Sequence, residues 1–273
     1  MTVLPSPTPP PVALTIAGSD PSGGAGIQRD LCTFHSLYCI GTSVITALTA
    51  QNSKEVTGVY PVSTECIEAQ IETLLLDLYP HAAKTGMLYS HECICAVHDH
   101  LPQDIPLVVD PVMVSTSGHT LLDLDSINTL IDLLVPRALI ITPNLPEAEL
   151  LSGVKISTNE TIHQAGAALL ELGVPYVLVK GGHNRSDKTH SVDLLFSKEG
   201  VISFIKKRFP YDVHGTGCLL SAAIAAYLAH GAGVTQACEQ AKEFSAEAIA
   251  NAVSGSCGTQ MPGSWSDDFK IKL

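Results

Sequence analysis

The chain is short of positive charge. Its 15 Lys and Arg stand against 27 Asp and Glu across 273 residues, a formal net charge of −12. An excess of acid on that scale argues against a nucleic-acid-binding surface, so no nucleic-acid partner is expected. An anionic substrate would need a local positive site, because the overall field repels it. The N-terminus has no charged n-region of the kind that opens a secretory leader, and no apolar run is long enough for a membrane span. No stretch reads as a linker and no repeat recurs, so residues 12–273 are expected to form a single domain. Before it, Met1–Pro11 hold five prolines and read as a flexible tail. With Trp265 in a short tail after the last predicted helix, no fused second enzyme is expected. The eight cysteines are scattered along a chain far longer than a small disulfide scaffold, which points to reduced thiols and a cytoplasmic location. His91, Cys93, Cys95, His98 and His100 lack metal-site spacing. On a helix Cys93 points away from the others and there is no second half-site, so the stretch reads as a helix with histidines on its wet side.

Apolar content is plentiful. Hydrophobic residues make up 45% and charged residues 15% of the chain, enough for a sizeable core. Short apolar runs alternate with helical patterns. Strands are predicted at Val12–Ala17, Ser43–Leu48, Ala82–Thr85, Leu107–Val109, Ala138–Ile141 and Tyr176–Val179, with a hairpin of Ser191–Phe196 and Val201–Lys206. Helices are predicted at Ala25–Leu37, from Thr64 onward, and at Thr161–Leu172, Gly217–Leu228 and Val234–Ala252. This βαβα order implies an α/β three-layer sandwich with a mostly parallel central sheet. Ligands of such sheets bind outside the carboxyl ends of the strands, and the polar and glycine-rich segments fall there repeatedly.

The most informative of these segments is Tyr211–Cys218, in which Gly215-Thr216-Gly217-Cys218 runs straight into an apolar helix. Two glycines let the backbone curl and aim several N–H groups at one point. A helix N-terminus behind them makes an anion site. The first strand ends in Gly18-Ser19-Asp20-Pro21-Ser22-Gly23-Gly24-Ala25-Gly26. This is neither a P-loop nor a dinucleotide fingerprint. Such a loop lets a flat ligand approach the backbone, with Asp20 taking a hydroxyl or ring N–H; equally, Asp20 can be an Asx cap of the turn. Gln51, at the end of the second strand, can donate and accept at once, which suits a heteroaromatic edge. Asp110 and Glu147 each follow a predicted strand and are candidate oxygen ligands, direct or through water, for Mg²⁺ on a nucleotide. Asn144-x-x-Glu147 also has the spacing of a capping box. Lys180, before Gly181-Gly182-His183, suits contact with a transferred phosphate, although a lone lysine is more often a surface residue.

Seven segments, in order, resemble the ribokinase-like superfamily and within it the hydroxymethylpyrimidine/phosphomethylpyrimidine kinases of thiamine biosynthesis. They are Thr15–Gln28, Val44–Asn52, Lys84–Leu88, Asp110–Met113, Thr142–Ala148, Lys180–His183 and His214–Cys218, and they span nearly the whole chain. The resemblance implies phosphorylation by ATP, with Mg²⁺, of the pyrimidine's hydroxymethyl group and then of the resulting monophosphate. It implies that Gly18, Asp20, Gln51 and Met87 line the pyrimidine pocket, and that Asn144 and Glu147 organise Mg²⁺ and phosphates. Lys180 would touch the nucleotide phosphates, and Gly215, Thr216 and Gly217 would form the anion hole. It also implies a homodimer. Cys218 stands where most ribokinase-like sugar kinases carry a catalytic Asp. A thiol at a helix N-terminus has a stabilised thiolate, so Cys218 is the candidate base or orienter, with Asp110 the next. Val114-Ser115-Thr116-Ser117-Gly118-His119 departs from the family form Ala-Lys-Ser-Gly-Asp. The lid lysine is missing, and Ser115 replaces the lid cysteine of some pyridoxal-phosphorylating relatives. The alternatives are a pyridoxal kinase on the same scaffold and a non-catalytic pyrimidine sensor. Retention of Asn144, Glu147, Lys180 and Cys218 speaks against the sensor.

Overall fold

Nine strands line up in one sheet in the order β3-β2-β1-β4-β5-β6-β7-β8-β9. The structure is a computed structural model that describes residues 9–52, 55–113, 122–181, 189–209, 211, 213–254 and 260–263. The first half contains β1 (Val12–Ser19), α1 (Gly26–Ser36), β2 (Ile40–Gln51), β3 (Val56–Pro61), α2 (Thr64–Leu75), β4 (Ala82–Thr85), α3 (His91–His100) and β5 (Leu107–Val109). Next come α4 (Leu124–Thr129), a π-helical turn over Leu130–Leu134, the short α5 (Val135–Arg137), β6 (Ile140–Ile141), α6 (Leu145–Ser152), α7 (Asn159–Leu170) and β7 (Tyr176–Val179). The hairpin β8 (His190–Ser197) and β9 (Gly200–Lys207), then α8 (Thr216–Ala229) and α9 (Val234–Ala250), complete the domain, with a small β10–β11 pair (Val253–Ser254, Gln260–Met261).

The six inner strands from β2 to β7 run parallel, while β3, β8 and β9 pair antiparallel at the two margins. Both faces of the parallel strands are covered, which is why they read as continuous apolar runs. Leu14, Ile16, Ala83, Leu107, Val109 and Ile141 face the layer containing α2, α3 and α7. Their neighbours Ala13, Ala82, Val108, Ile140 and Leu178 face α1, α8 and α9. The two-residue period of a strand makes this division. The expected sandwich is thus observed. The chain steps from β1 to β2 on one side and later to β4 on the other, so the sheet's switch point lies beside the carboxyl end of β1.

Most predicted elements stand within a few residues of their expected bounds. The helix expected from Thr161 starts at Asn159, because Thr158 caps it by accepting the Thr161 N–H. The edge strand β3, which contains Gly58 and ends at Pro61, was not anticipated. The proline-rich tail up to residue 8, Trp265, and the lid segment Ser115–His119 lie outside the described residues. Among the described residues no helix is long and apolar enough to cross a membrane.

Candidate active site

The site is built where β1, β2, β4, β5 and β7 end and α8 begins. Gly18 lies against Met87: a Cβ at residue 18 would stand 2.3 Å from Met87 Cε. Met87 is in turn fixed through its carbonyl, which accepts the Thr46 hydroxyl at 2.6 Å. Thr49 Oγ1 donates to the Ser19 carbonyl at 2.8 Å and lies 3.2 Å from Gln51 Oε1. The Gln51 amide nitrogen sits 3.4 Å from His214 Nε2. The expected pocket residues Gly18, Asp20, Gln51 and Met87 are therefore brought together, with His214 added to them. Sequence reading quoted His214 within its motif and gave it no role.

Asp20 is buried, and its loop uses the carboxylate fully. Oδ1 accepts the Ser22 N–H at 2.9 Å and the Ser22 hydroxyl at 2.7 Å, and Oδ2 accepts the Ala25 N–H at 2.8 Å. His214 Nε2 lies 3.6 Å from Oδ2. Burial pushes the Asp20 carboxyl up, but the bonds from His214, Ser22 and Ala25 outweigh it and hold the group below its ordinary value. The Asx-type reading of Asp20 is what the geometry displays.

Behind the glycine loop, His214-Gly215-Thr216-Gly217 crosses close to Gly24. Gly215 caps α8 in the left-handed region at φ +80°. Gly217 lies over a buried ion pair: a Cβ there would be 3.4 Å from Lys180 Nζ and 3.9 Å from Asp110 Oδ2. Asp110 Oδ1 accepts from Lys180 Nζ at 2.7 Å and from Thr142 Oγ1 at 3.2 Å, and Oδ2 accepts from Ser221 Oγ at 3.0 Å. Burial disfavours the Asp110 charge, yet Lys180, Lys84 and Ser221 hold its carboxyl below the usual range. Lys180 is thus no solvated surface lysine. Burial opposes its charge too, and Asp110 and Glu147 raise it above its ordinary value.

Asn144 and Glu147 form a complete capping box on α6: Asn144 Oδ1 accepts the Glu147 N–H at 2.9 Å, and Glu147 Oε2 accepts the Asn144 N–H at 2.7 Å. The box also turns Glu147 toward Lys180, with Oε2 at 3.9 Å from Nζ. Burial pushes the Glu147 carboxyl up to about 7, against the pull of Lys180 and with the push of Asp110. A carboxyl raised in the folded state contributes stability fully below the ordinary value and loses that contribution as pH rises through about 7. Glu147→Gln is therefore expected to gain thermal stability relative to wild type from pH 5 to 7 and to show a flat difference above. Parallel melting temperatures across that range would refute this.

Cys218 is half-buried in the first turn of α8. The helix N-terminus led to the expectation of a stabilised thiolate, and the surroundings correct it. Burial pushes the thiol up to about 11; Lys84 opposes this, Asp30 and Asp110 add to it, and the Gly26 N–H opposes it.

Two buried ion pairs near the strand ends were missed. Lys84 Nζ bonds Asp30 Oδ2 at 2.8 Å, with both side chains fully buried. Lys242 Nζ bonds Asp193 Oδ2 at 2.6 Å. The first had a signal: Lys84 lies inside Ala82–Thr85, a predicted strand of a mostly parallel sheet, and a lysine buried there demands a carboxylate partner. On α3, His91 Nδ1 pairs with Thr129 Oγ1 at 2.6 Å and Cys93 is buried, so these side chains serve the packing of α3 on α4.

This three-layer α/β fold, with the glycine-rich start of α8 beside Asp20, Gln51 and His214, is that of a phosphotransferase acting on small molecules. Comparison with known proteins agrees: residues 20–261 match the family described as phosphomethylpyrimidine kinase, and the chain belongs to that family. It is 44% identical over 245 residues to the hydroxymethylpyrimidine/phosphomethylpyrimidine kinase of Bacillus subtilis (strain 168), covering 88% of this chain and 89% of that one. Among solved structures, the phosphomethylpyrimidine kinase of Clostridium difficile 630 is 44% identical with a TM-score of 0.76, covering 88% of this chain and 99% of that one. An ADP complex of Bacillus subtilis pyridoxal kinase gives a TM-score of 0.86 at 34% identity, covering 93% and 97%.

Proposed function

We propose that this kinase transfers the terminal phosphoryl group of ATP to the hydroxymethyl group of 4-amino-5-hydroxymethyl-2-methylpyrimidine, and then phosphorylates the monophosphate to the diphosphate in thiamine biosynthesis. One observation carries the reading: Gln51, near Gly18 and Met87, contacts His214, which leads directly into the Gly215–Gly217 start of α8 above Lys180 and Asp110. A flat ring with an exocyclic hydroxymethyl group fits that adjacency, and the names of the family and of its relatives support the same substrate.

In this mechanism Gly18 and Met87 pack together at the floor of the ring site, and Gln51 reads the ring's polar edge. The N–H groups of Gly215, Thr216 and Gly217 point at the charge that develops on the transferring phosphoryl group. Lys180 neutralises nucleotide phosphate oxygens. Cys218 orients the attacking hydroxyl; a thiol near 11 gives little thiolate at neutral pH, and phosphoryl transfer needs little base in its transition state. Asp110, already ionised, is the next acceptor for the proton. Mg²⁺ belongs to the same proposal. Two carboxylates flanking one lysine are a hard-oxygen donor set that fits the ion. Glu147 and Asp110 would hold it, directly or through water, and when bound it supplies charge neutralisation on the phosphates. A cytoplasmic homodimer completes the reading: the unpaired cysteines among the described residues support the location, and the dimer rests on the family resemblance.

The high TM-score to a pyridoxal kinase favours one second reading, vitamin B6 phosphorylation. ATP consumption by purified protein with Mg²⁺ separates the two when hydroxymethylpyrimidine, its monophosphate and pyridoxal are offered singly. Turnover of both pyrimidines well above pyridoxal is expected; turnover of pyridoxal alone transfers the assignment, and no turnover with any revives a sensor. In the same assay Cys218→Ala is expected to lower kcat about a hundredfold, the cost of a misoriented hydroxyl. Near-normal turnover would remove Cys218 from the mechanism.

A further inference from the structure

Asp193 and Lys242 form a buried ion pair that the reaction itself does not use. Asp193, on β8, is 2% exposed and Lys242, on α9, is 9% exposed. Lys242 Nζ donates to Asp193 Oδ2 at 2.6 Å and to Ser191 Oγ at 3.0 Å. The other carboxylate oxygen, Oδ1, accepts the backbone N–H of Gly181 at 2.9 Å. Gly181 immediately follows Lys180 and is pressed against β8: a Cβ there would stand 1.7 Å from the Val192 carbonyl oxygen. On its other side, the Lys180 N–H donates to the Pro143 carbonyl at 2.8 Å, in a bridge between Asn144 and Lys180. The backbone that carries Lys180 is therefore clamped between the start of α6 and the Asp193 carboxylate.

Stability alone does not account for such a pair. A buried ion pair is often matched or bettered by apolar residues of the same volume, because both charges lose their hydration. A charge retained at that cost calls for a use, and here the visible one is an acceptor fixed under a single backbone N–H. We propose that Asp193, held in place by Lys242, is a positioning residue for the nucleotide: it fixes Gly181 and so the direction in which Lys180 presents its ammonium to the phosphates. This rests on the reading that Lys180 contacts nucleotide phosphates.

The test compares binding of a non-hydrolysable ATP analogue, measured by calorimetry, in wild type and three variants. D193L/K242M removes both charges and the acceptor under Gly181 while keeping apolar volume. D193N/K242M also removes both charges but leaves an amide oxygen for the Gly181 N–H. K180M tests the premise. Analogue affinity is expected to fall about tenfold or more in D193L/K242M and to recover to within about threefold of wild type in D193N/K242M, with the KM for pyrimidine unchanged in both. Normal analogue affinity in D193L/K242M overturns the proposal if K180M binds weakly. Normal affinity in K180M overturns the premise and the proposal together. Equal losses in the two double variants, or a parallel rise in pyrimidine KM, show a general loosening and also overturn it.

Discussion

Gly215→Ala is expected to lower kcat on the order of a thousandfold and to reduce thermal stability with it. Residue 215 holds φ +80°, a conformation that an L side chain adopts only under strain. Space is the harder obstacle. The new Cβ would meet the Gly24 carbonyl oxygen at 1.8 Å and its carbon at 2.8 Å. Neither is a flexible side chain, so one of the two backbones must move. Gly24 has no freedom to retreat toward His214, since the space a Cβ would take on residue 24 is already filled by the His214 ring, 2.5 Å away. The start of α8 shifts instead, and with it the N–H groups of residues 215–217. Loss of a single preorganised donor costs about a hundred- to a thousandfold in rate; displacing several together belongs at the upper end. Gly231→Ala, just beyond the other end of α8, is the control. It shares the left-handed conformation at φ +85° but has open space around it. That variant should lose about 1 kcal/mol of stability and keep its kcat. Activity of Gly215→Ala within tenfold of wild type would sink the argument.

The contrast between what the sequence shows and what it hides follows the range of the interactions involved. Strands buried on both faces show as apolar runs, so β5 and β7 were found at their bounds. The capping box of Asn144 and Glu147 is local and was legible for the same reason. Its second property, turning a carboxylate toward Lys180 and Asp110, depends on three strand ends meeting and was only an expectation. Cys218 marks the limit most clearly. Its local setting, a helix N-terminus, points to a lowered thiol. Its tertiary setting, burial with Asp30 and Asp110 nearby, reverses the sign. The contact of Gln51 with His214 joins residues 163 apart in sequence, and no periodicity announces such a pairing. Family resemblance gathered these residues into one site without saying which of them hold the others in place.

Lys84→Met should destabilise the protein by about 3–5 kcal/mol, the range for breaking one partner out of a buried ion pair. Lys84 and Asp30 are both fully buried, between β4 and α1. Asp30 Oδ2 also accepts the Thr15 hydroxyl at 2.6 Å, and Oδ1 has no hydrogen-bond partner among the described residues. With Lys84 gone, the carboxylate keeps one hydroxyl and no counter-charge. Burial already raises the Asp30 carboxyl above its ordinary value despite the opposing pull of Lys84, so the variant would fold with Asp30 protonated over a wider range of pH. The sign follows from linkage. A raised folded-state value means that stability is retained at low pH and lost as pH rises toward that value, so the deficit should be smaller at pH 5 than at pH 8 in urea unfolding. A compensating Asp30→Leu in the same chain removes the orphaned charge and should restore most of the loss; a double-mutant cycle then gives the coupling between the two sites. Against a typical total stability of about 5–15 kcal/mol, the single variant would be largely unfolded on warming and the double variant would not. The pair lies under the carboxyl ends of the parallel strands, where a Cβ on Gly86 would come within 2.9 Å of Lys84 Nζ and where Lys84 favours the ionised form of both Cys218 and Asp110. The double variant, though folded, should therefore have a Cys218 thiol altered in its pH-dependent alkylation. A deficit below about 1 kcal/mol in Lys84→Met at pH 8 would show that the buried pair is not held as tightly as its geometry requires.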